Sequence, residues 1–173
     1  MEALAGPVVV IAALLVLAGG LKLLRPADTA GALRALHLPS AFALVRLLGA
    51  GEIAIGVAAV VTFAPAVLVL LAAMYLAFAT FVMAALAAHA PVQSCGCFGR
   101  ADTPPSAIHV GVNLASAGTA LVAAITSTPA LDHTLSDQPW NAVPFVLLVG
   151  VCVHLCVLLL TVLPMTSGRS VTP

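Results

Sequence analysis

The sequence has very little charge. Lys and Arg number six and Asp and Glu six, which is 7% of 173 residues, against about 25% in a soluble domain. Twelve charges cannot solvate the surface of a folded chain this long, so a soluble enzyme and a disordered chain are both excluded. The charges also balance to a formal net charge of zero, which removes the basic face that nucleic acid requires. The four cysteines are too few for a disulfide scaffold. No haem, flavin or iron–sulfur motif is present, so no covalently bound cofactor and no resident metal is expected. What is abundant is apolar: 62% of residues are hydrophobic and the mean hydropathy is +1.21. That composition belongs to an integral membrane protein.

Crossing a bilayer takes about 20 mostly apolar residues. Five runs qualify: Ala5–Leu24, Ser40–Phe63, Ala66–Ala90, Ser106–Thr126 and Ala142–Leu163. None shows the segments of about 10 residues, alternating polar and apolar, that a barrel needs. The sequence therefore predicts an all-α, polytopic helix bundle. The first run lacks the basic n-region of a signal peptide, since Met1-Glu2-Ala3 has no Lys or Arg, and Lys22 follows its apolar core. It reads as a helix that stays.

The connections differ in kind. Residues 25–39 carry Leu33, Leu36 and Leu38 beside Arg34 and His37, which predicts a short interfacial helix opened by Pro26-Ala27-Asp28 and stopped by Pro39. Ala64-Pro65 makes a tight turn. The polar loop 91–105 ends on Thr103-Pro104, a cap followed by a proline that suits the first helical position. With five spans, loop 25–39, loop 91–105 and the C-terminus share one side, the cysteine side. The N-terminus, the 64–65 turn and loop 127–141 share the other.

Three charges fall inside the spans: Lys22, Arg46 and Glu52. A charge at mid-bilayer costs roughly 2.5–3.5 kcal/mol on insertion scales and is as a rule paired or turned inward. At about 1.5 Å rise per residue, Lys22 lies about 3 Å below the cysteine-side boundary, Arg46 about 9 Å and Glu52 about 18 Å. At those depths Lys22 is accounted for by snorkelling, and Glu52 is the hardest to dismiss. Arg46 and Glu52 are about 240° apart around their helix, yet long side chains can still meet inside a bundle. Tyr75 falls level with Glu52, and Asn113 and Cys156 near Arg46. These groups define an intramembrane polar set, expected to run as a seam from loop 91–105 toward Glu52, with Glu52 bonded to Tyr75 or another polar group, or paired with Arg46. A polar clamp between helices is the structural alternative.

Ser94-Cys95-Gly96-Cys97-Phe98-Gly99-Arg100 carries most of the reactive chemistry. Two thiols separated by one glycine can meet because glycine accepts the bent backbone of a short ring. A disulfide there is strained and therefore reducible. Arg100 and a helix start at Thr103 would stabilise a thiolate. His89 and His109 flank the loop as bases or ligands. Thiol–disulfide exchange, Cu(I) binding by two soft thiolates with histidine nearby, and cysteines without chemistry all fit this spacing. Cys152 and Cys156 share a face of the fifth span at i, i+4. They read as small apolar fillers or as a second redox or metal station.

Gly19-Gly20-Leu21-Lys22-Leu23, Leu38-Pro39, Arg46, Gly49-Ala50-Gly51-Glu52 and Cys95-Gly96-Cys97-Phe98-Gly99 together resemble the MauE family of DoxX-like membrane proteins. The resemblance covers about residues 5–126. It implies a DoxX-like four-helix unit over 1–126 that contains loop 91–105. Residues 127–173 then supply a polar loop, a fifth transmembrane helix and a short tail. The family is associated with methylamine utilisation and with disulfide formation or electron transfer for a periplasmic dehydrogenase subunit. By position the resemblance makes Cys95 and Cys97 the redox pair and Lys22, Arg46 and Glu52 the polar set.

The expectation is a multi-pass inner-membrane redox or accessory protein. It would exchange electrons through Cys95 and Cys97 with a thioredoxin-like partner, or with a quinone in a slot near Arg46, His109 and Asn113. A non-catalytic assembly subunit and a Cu(I)-handling protein are the alternatives. Lys22, Arg25, Arg34, Arg100 and Arg169 gather at the cysteine side, which the positive-inside rule places in the cytoplasm. Oxidative folding calls for the opposite side.

Overall fold

The computed structural model describes residues 4–88, 105–126 and 142–167, with side chains through Val162. Six helices make up the described chain: α1 (Ala5–Leu24), α2 (Pro26–Ala35), α3 (Phe42–Thr62), α4 (Pro65–Ala87), α5 (Ala107–Ile125) and α6 (Val143–Ser167). All but α2 are long and apolar enough to cross a membrane. Within the bilayer only a helix satisfies its own backbone, and the side chains follow the same rule. Thr62, Thr80, Thr119, Thr126 and Thr161 each return their hydroxyl to the carbonyl four residues back, at 2.7–2.9 Å.

The helices are apolar all round, so hydrophobicity does not select the face that packs. Residue size does. The buried residues of α3 are Val45, Gly49, Glu52, Gly56 and Ala59, spaced 4-3-4-3. The same spacing runs through Leu68, Ala72, Tyr75, Ala79 and Val82 of α4, and through His109, Asn113, Ser116, Ala120 and Ala123 of α5. In α1 it runs through Ala5, Val8, Ala12, Leu15, Gly19 and Lys22. A 3.5-residue repeat keeps one seam facing a partner over many turns. Accordingly α1 packs chiefly on α3, and α4 chiefly on α5. A core that includes Ala12, Leu15, Ala59, Leu68, Leu71, Ala117 and Ala120 joins the two pairs. The Tyr75 hydroxyl of α4 donates to the Ile11 carbonyl of α1 and pins them together.

Helix α6 lies outside this arrangement. It is buried mainly at Leu160 and Thr161, and most of its Val and Leu side chains are exposed.

Two boundaries differ from the sequence reading. The short helix is not ended by Pro39. It stops at Ala35, where His37 takes φ 56° and the amides of His37 and Leu38 return to the carbonyls of Arg34 and Leu33 at 2.9 Å each. This is a Schellman closure with histidine in the position glycine favours. The helix buries its small residues Thr29, Ala30 and Ala32, whereas Leu38 stays 44% exposed. The second difference is at α5, which starts at Ala107 with Ser106 as its cap residue. The positive end of its dipole therefore sits four residues beyond Thr103. The Ala64-Pro65 turn is present, with Phe63 at φ 48° closing α3 and Pro65 at the first position of α4.

Candidate functional site

The best-formed polar feature of the membrane bundle is an ion pair between α1 and α3. The Lys22 Nζ lies 2.9 Å from each oxygen of Glu52 and donates a hydrogen bond to Oε2. Lys22 is 3% exposed and Glu52 is fully buried. The pair forms because the two backbones nearly touch. A methyl group on Gly19 would stand 2.5 Å from the Gly49 carbonyl oxygen, and one on Gly49 would stand 2.7 Å from that of Gly19. Two turns along, a methyl on Gly56 would meet Val16 Cγ2 at 2.6 Å and the Ala12 carbonyl at 2.9 Å. Small residues at such a crossing are what allow helices to associate where water gives no drive.

Antiparallel packing then brings the charges together. A helical side chain leans toward the N-terminus of its own helix. Lys22 therefore leans down into the bilayer, and Glu52 leans up toward the cysteine side. Phe78 of α4 completes the enclosure, its ring centroid 5.1 Å from the Lys22 ammonium and 6.2 Å from the Tyr75 ring in an edge-to-face contact. Glu52 Oε1 accepts no hydrogen bond, so its satisfaction rests on the 2.9 Å ionic contact alone.

Lys22 also borders a small cavity shared with Tyr75, Phe78, His109, Asn113 and Leu160, of about 20 Å³, room for about one or two water molecules. His109 is 1% exposed, and its Nδ1 is 2.9 Å from the Ser106 hydroxyl. Asn113 donates from Nδ2 to the His109 carbonyl at 2.7 Å. Lys22, Tyr75, His109 and Asn113, from α1, α4 and α5, thus border one cavity, and Glu52 of α3 is bonded to Lys22.

Arg46 is not among them. It lies on the exposed side of α3, away from the buried 45-49-52-56-59 stripe. Of the arrangements expected for Glu52, the one formed is the bond to another polar group, Lys22, and not the pairing with Arg46. The Tyr75 hydroxyl bonds the α1 backbone. Among the described residues, Arg46 does not join His109 and Asn113: it is exposed on α3, whereas those two border the small cavity. Cys152 and Cys156 are free, partly buried thiols on α6, remote from these groups along the chain. Cys95, Cys97 and His89 lie outside the described residues. Among the described residues, no three His, Cys, Asp or Glu side chains gather as metal ligands would.

Lys22 was legible as a snorkelling residue and, by resemblance, as one of the polar set, but not as the partner of Glu52. The signal that could have found its role is the Gly19-x-x-Lys22 spacing facing Gly49-x-x-Glu52, two small residues each one turn from a charge.

Five helices long and apolar enough to cross a membrane, with a charged pair buried between α1 and α3, define a multi-pass membrane protein. The chain belongs to the MauE family: residues 2–130 match the family described as methylamine utilisation protein MauE. The match takes in α1 to α5 and leaves α6 outside. Comparison with curated proteins and with solved structures returned no match.

Proposed function

We propose that this chain is an inner-membrane thiol–disulfide redox protein, accessory to methylamine utilisation, that exchanges electrons between Cys95–Cys97 and a thioredoxin-like partner. The observation that carries the reading is the Cys95-Gly96-Cys97 spacing in a chain of the MauE family. In the exchange a partner thiolate attacks one sulfur of the Cys95–Cys97 disulfide. That bond breaks as a mixed disulfide forms, and the partner's second thiolate displaces it. Two electrons and two protons pass from the partner to the pair, and the partner leaves as a disulfide. The Lys22–Glu52 pair links α1 and α3 within the same unit.

Thiol trapping of the purified protein over a series of redox potentials tests this. Reversible Cys95–Cys97 oxidation within the physiological range is expected. Its absence leaves the second reading, a non-catalytic assembly subunit. One observation favours that reading: an ion pair at a glycine crossing is also what a purely structural clamp needs. For Cu(I) handling, metal analysis of the reduced protein decides, with Cys95→Ser as control. Stoichiometric copper lost in that variant would replace the redox assignment.

A further inference from the structure

Between α3 and α4, roofed by α2, lies a cleft of about 210 Å³ that the polar seam does not explain. Its walls include Leu33 of α2, Leu48 of α3, and Ala77, Phe78 and Phe81 of α4. They carry one charged group, Lys22. Lys22 also borders the small cavity with His109, so this one residue is shared by the two spaces. Helices α3 and α4 touch lightly, although they are joined by a two-residue turn. The cleft is lined from both of these membrane-spanning helices.

The charge state of the Lys22–Glu52 pair selects the ligand. Glu52 already neutralises Lys22 at 2.9 Å. A carboxylate or phosphate entering the cleft would bring a second anion to a single cation, at low dielectric. A neutral ligand meets no such cost. An ammonium has three donors, and Glu52 Oε2 takes one as a hydrogen bond. A neutral carbonyl oxygen can therefore be bonded without breaking the ion pair. Two phenylalanine rings on the wall suit a flat ring, and the aliphatic lining of Leu33, Leu48 and Met74 suits a trailing apolar tail. We propose that the α2–α3–α4 cleft is a binding site for a lipid-soluble quinone, with one ring carbonyl accepting from Lys22 Nζ. This deepens the redox assignment above and rests on it for its purpose, but the binding itself does not require the cysteines.

The test uses the full chain in lipid nanodiscs, with a photoreactive azido-decylbenzoquinone as probe and adducts mapped by mass spectrometry. Adducts are expected within Met74–Phe81 and Thr29–Leu33. Ala77 is exposed on the cleft wall, so Ala77→Trp fills the space without displacing core and should reduce labelling at least tenfold. The Lys22→Met/Glu52→Gln double variant removes the donor without leaving a buried charge and should reduce it similarly, with helix content checked by circular dichroism. Unlabelled decylbenzoquinone should compete, and decanoate should not. Adducts elsewhere, labelling that survives Ala77→Trp, or competition by decanoate as strong as by the quinone would each overturn the site. The Cys95→Ser/Cys97→Ser variant should label like the wild type. Normal labelling without any reversible thiol oxidation in the wild type would sink the redox assignment alone. Thiol exchange with a partner protein but no labelling would sink the quinone site alone.

Discussion

At the residue scale, the arrangement turns on the register in which two helices cross. Counting rise along each helix puts Lys22 and Glu52 about 15 Å apart in depth, and on that count they do not meet. The structure brings Nζ and carboxylate to 2.9 Å because the antiparallel crossing sets Lys22 level with Gly49 and Glu52 level with Gly19, about one turn apart, and each side chain leans toward the other. Glu52 was therefore legible as a buried charge, whereas its partner was not, and Arg46 was misread by the same count. The energetics give a sharp expectation. Removing one member of a buried pair strands the other and costs about 3–5 kcal/mol, whereas replacing both with apolar groups is close to neutral. Glu52→Leu and Lys22→Met should each destabilise the bundle by that order, and the double variant should recover most of the loss. Unfolding in mixed micelles measures this. Losses that simply add in the double variant would show that the two groups are not energetically coupled.

At the element scale, the five spans and their order could be read from hydropathy, because length and composition alone define a crossing helix. Which face of each helix packs could not, because an apolar helix in an apolar bundle has no amphipathic stripe. The information sits in the small residues, and glycines of one sequence type divide into two physical types. Gly19, Gly49 and Gly56 stand where a methyl would collide with backbone or a packed valine, whereas Gly20 and Gly51 face open space. Gly49→Ala should force α1 and α3 apart and cost about 1–3 kcal/mol. Gly51→Ala, two residues along the same helix, should be neutral or stabilise by up to about 1 kcal/mol, since alanine is the better helix former. Thermal unfolding of the two variants gives the comparison. Equal effects would mean that the crossing is looser than the 2.5–2.7 Å approaches imply. Gly49→Ala should also weaken the Lys22–Glu52 coupling, which ties the element to the residue: the charges meet only while the backbones do.

At the scale of the whole molecule, the question is which side of the membrane holds loop 91–105, and the structure revises the count that decides it. Lys22 is neutralised by Glu52 and buried, so it carries little topogenic weight. Arg46, by contrast, is exposed four residues into α3, about 6 Å from the helix start and within reach of the cysteine-side boundary. It replaces Lys22 in the count. Arg25 and Arg34 are exposed on the same side, and Arg100 and Arg169 follow it in sequence. The 64–65 turn, loop 127–141 and residues 1–4 contain no Lys or Arg. The positive-inside rule then places the cysteine side in the cytoplasm. In a Cys152→Ser/Cys156→Ser background, brief treatment of intact cells with an impermeant phosphine should leave Cys95 and Cys97 unlabelled by an impermeant maleimide. Labelling should appear once the membrane is permeabilised. A pair on that side is kept reduced by the cytosolic thiol pool, so it would act as an electron donor toward the membrane, the direction in which a quinone in the α2–α3–α4 cleft would accept. Labelling in intact cells would reverse both statements. The arginines would then be overridden as topogenic signals, and the pair would stand on the oxidising side as an acceptor for partner thiols.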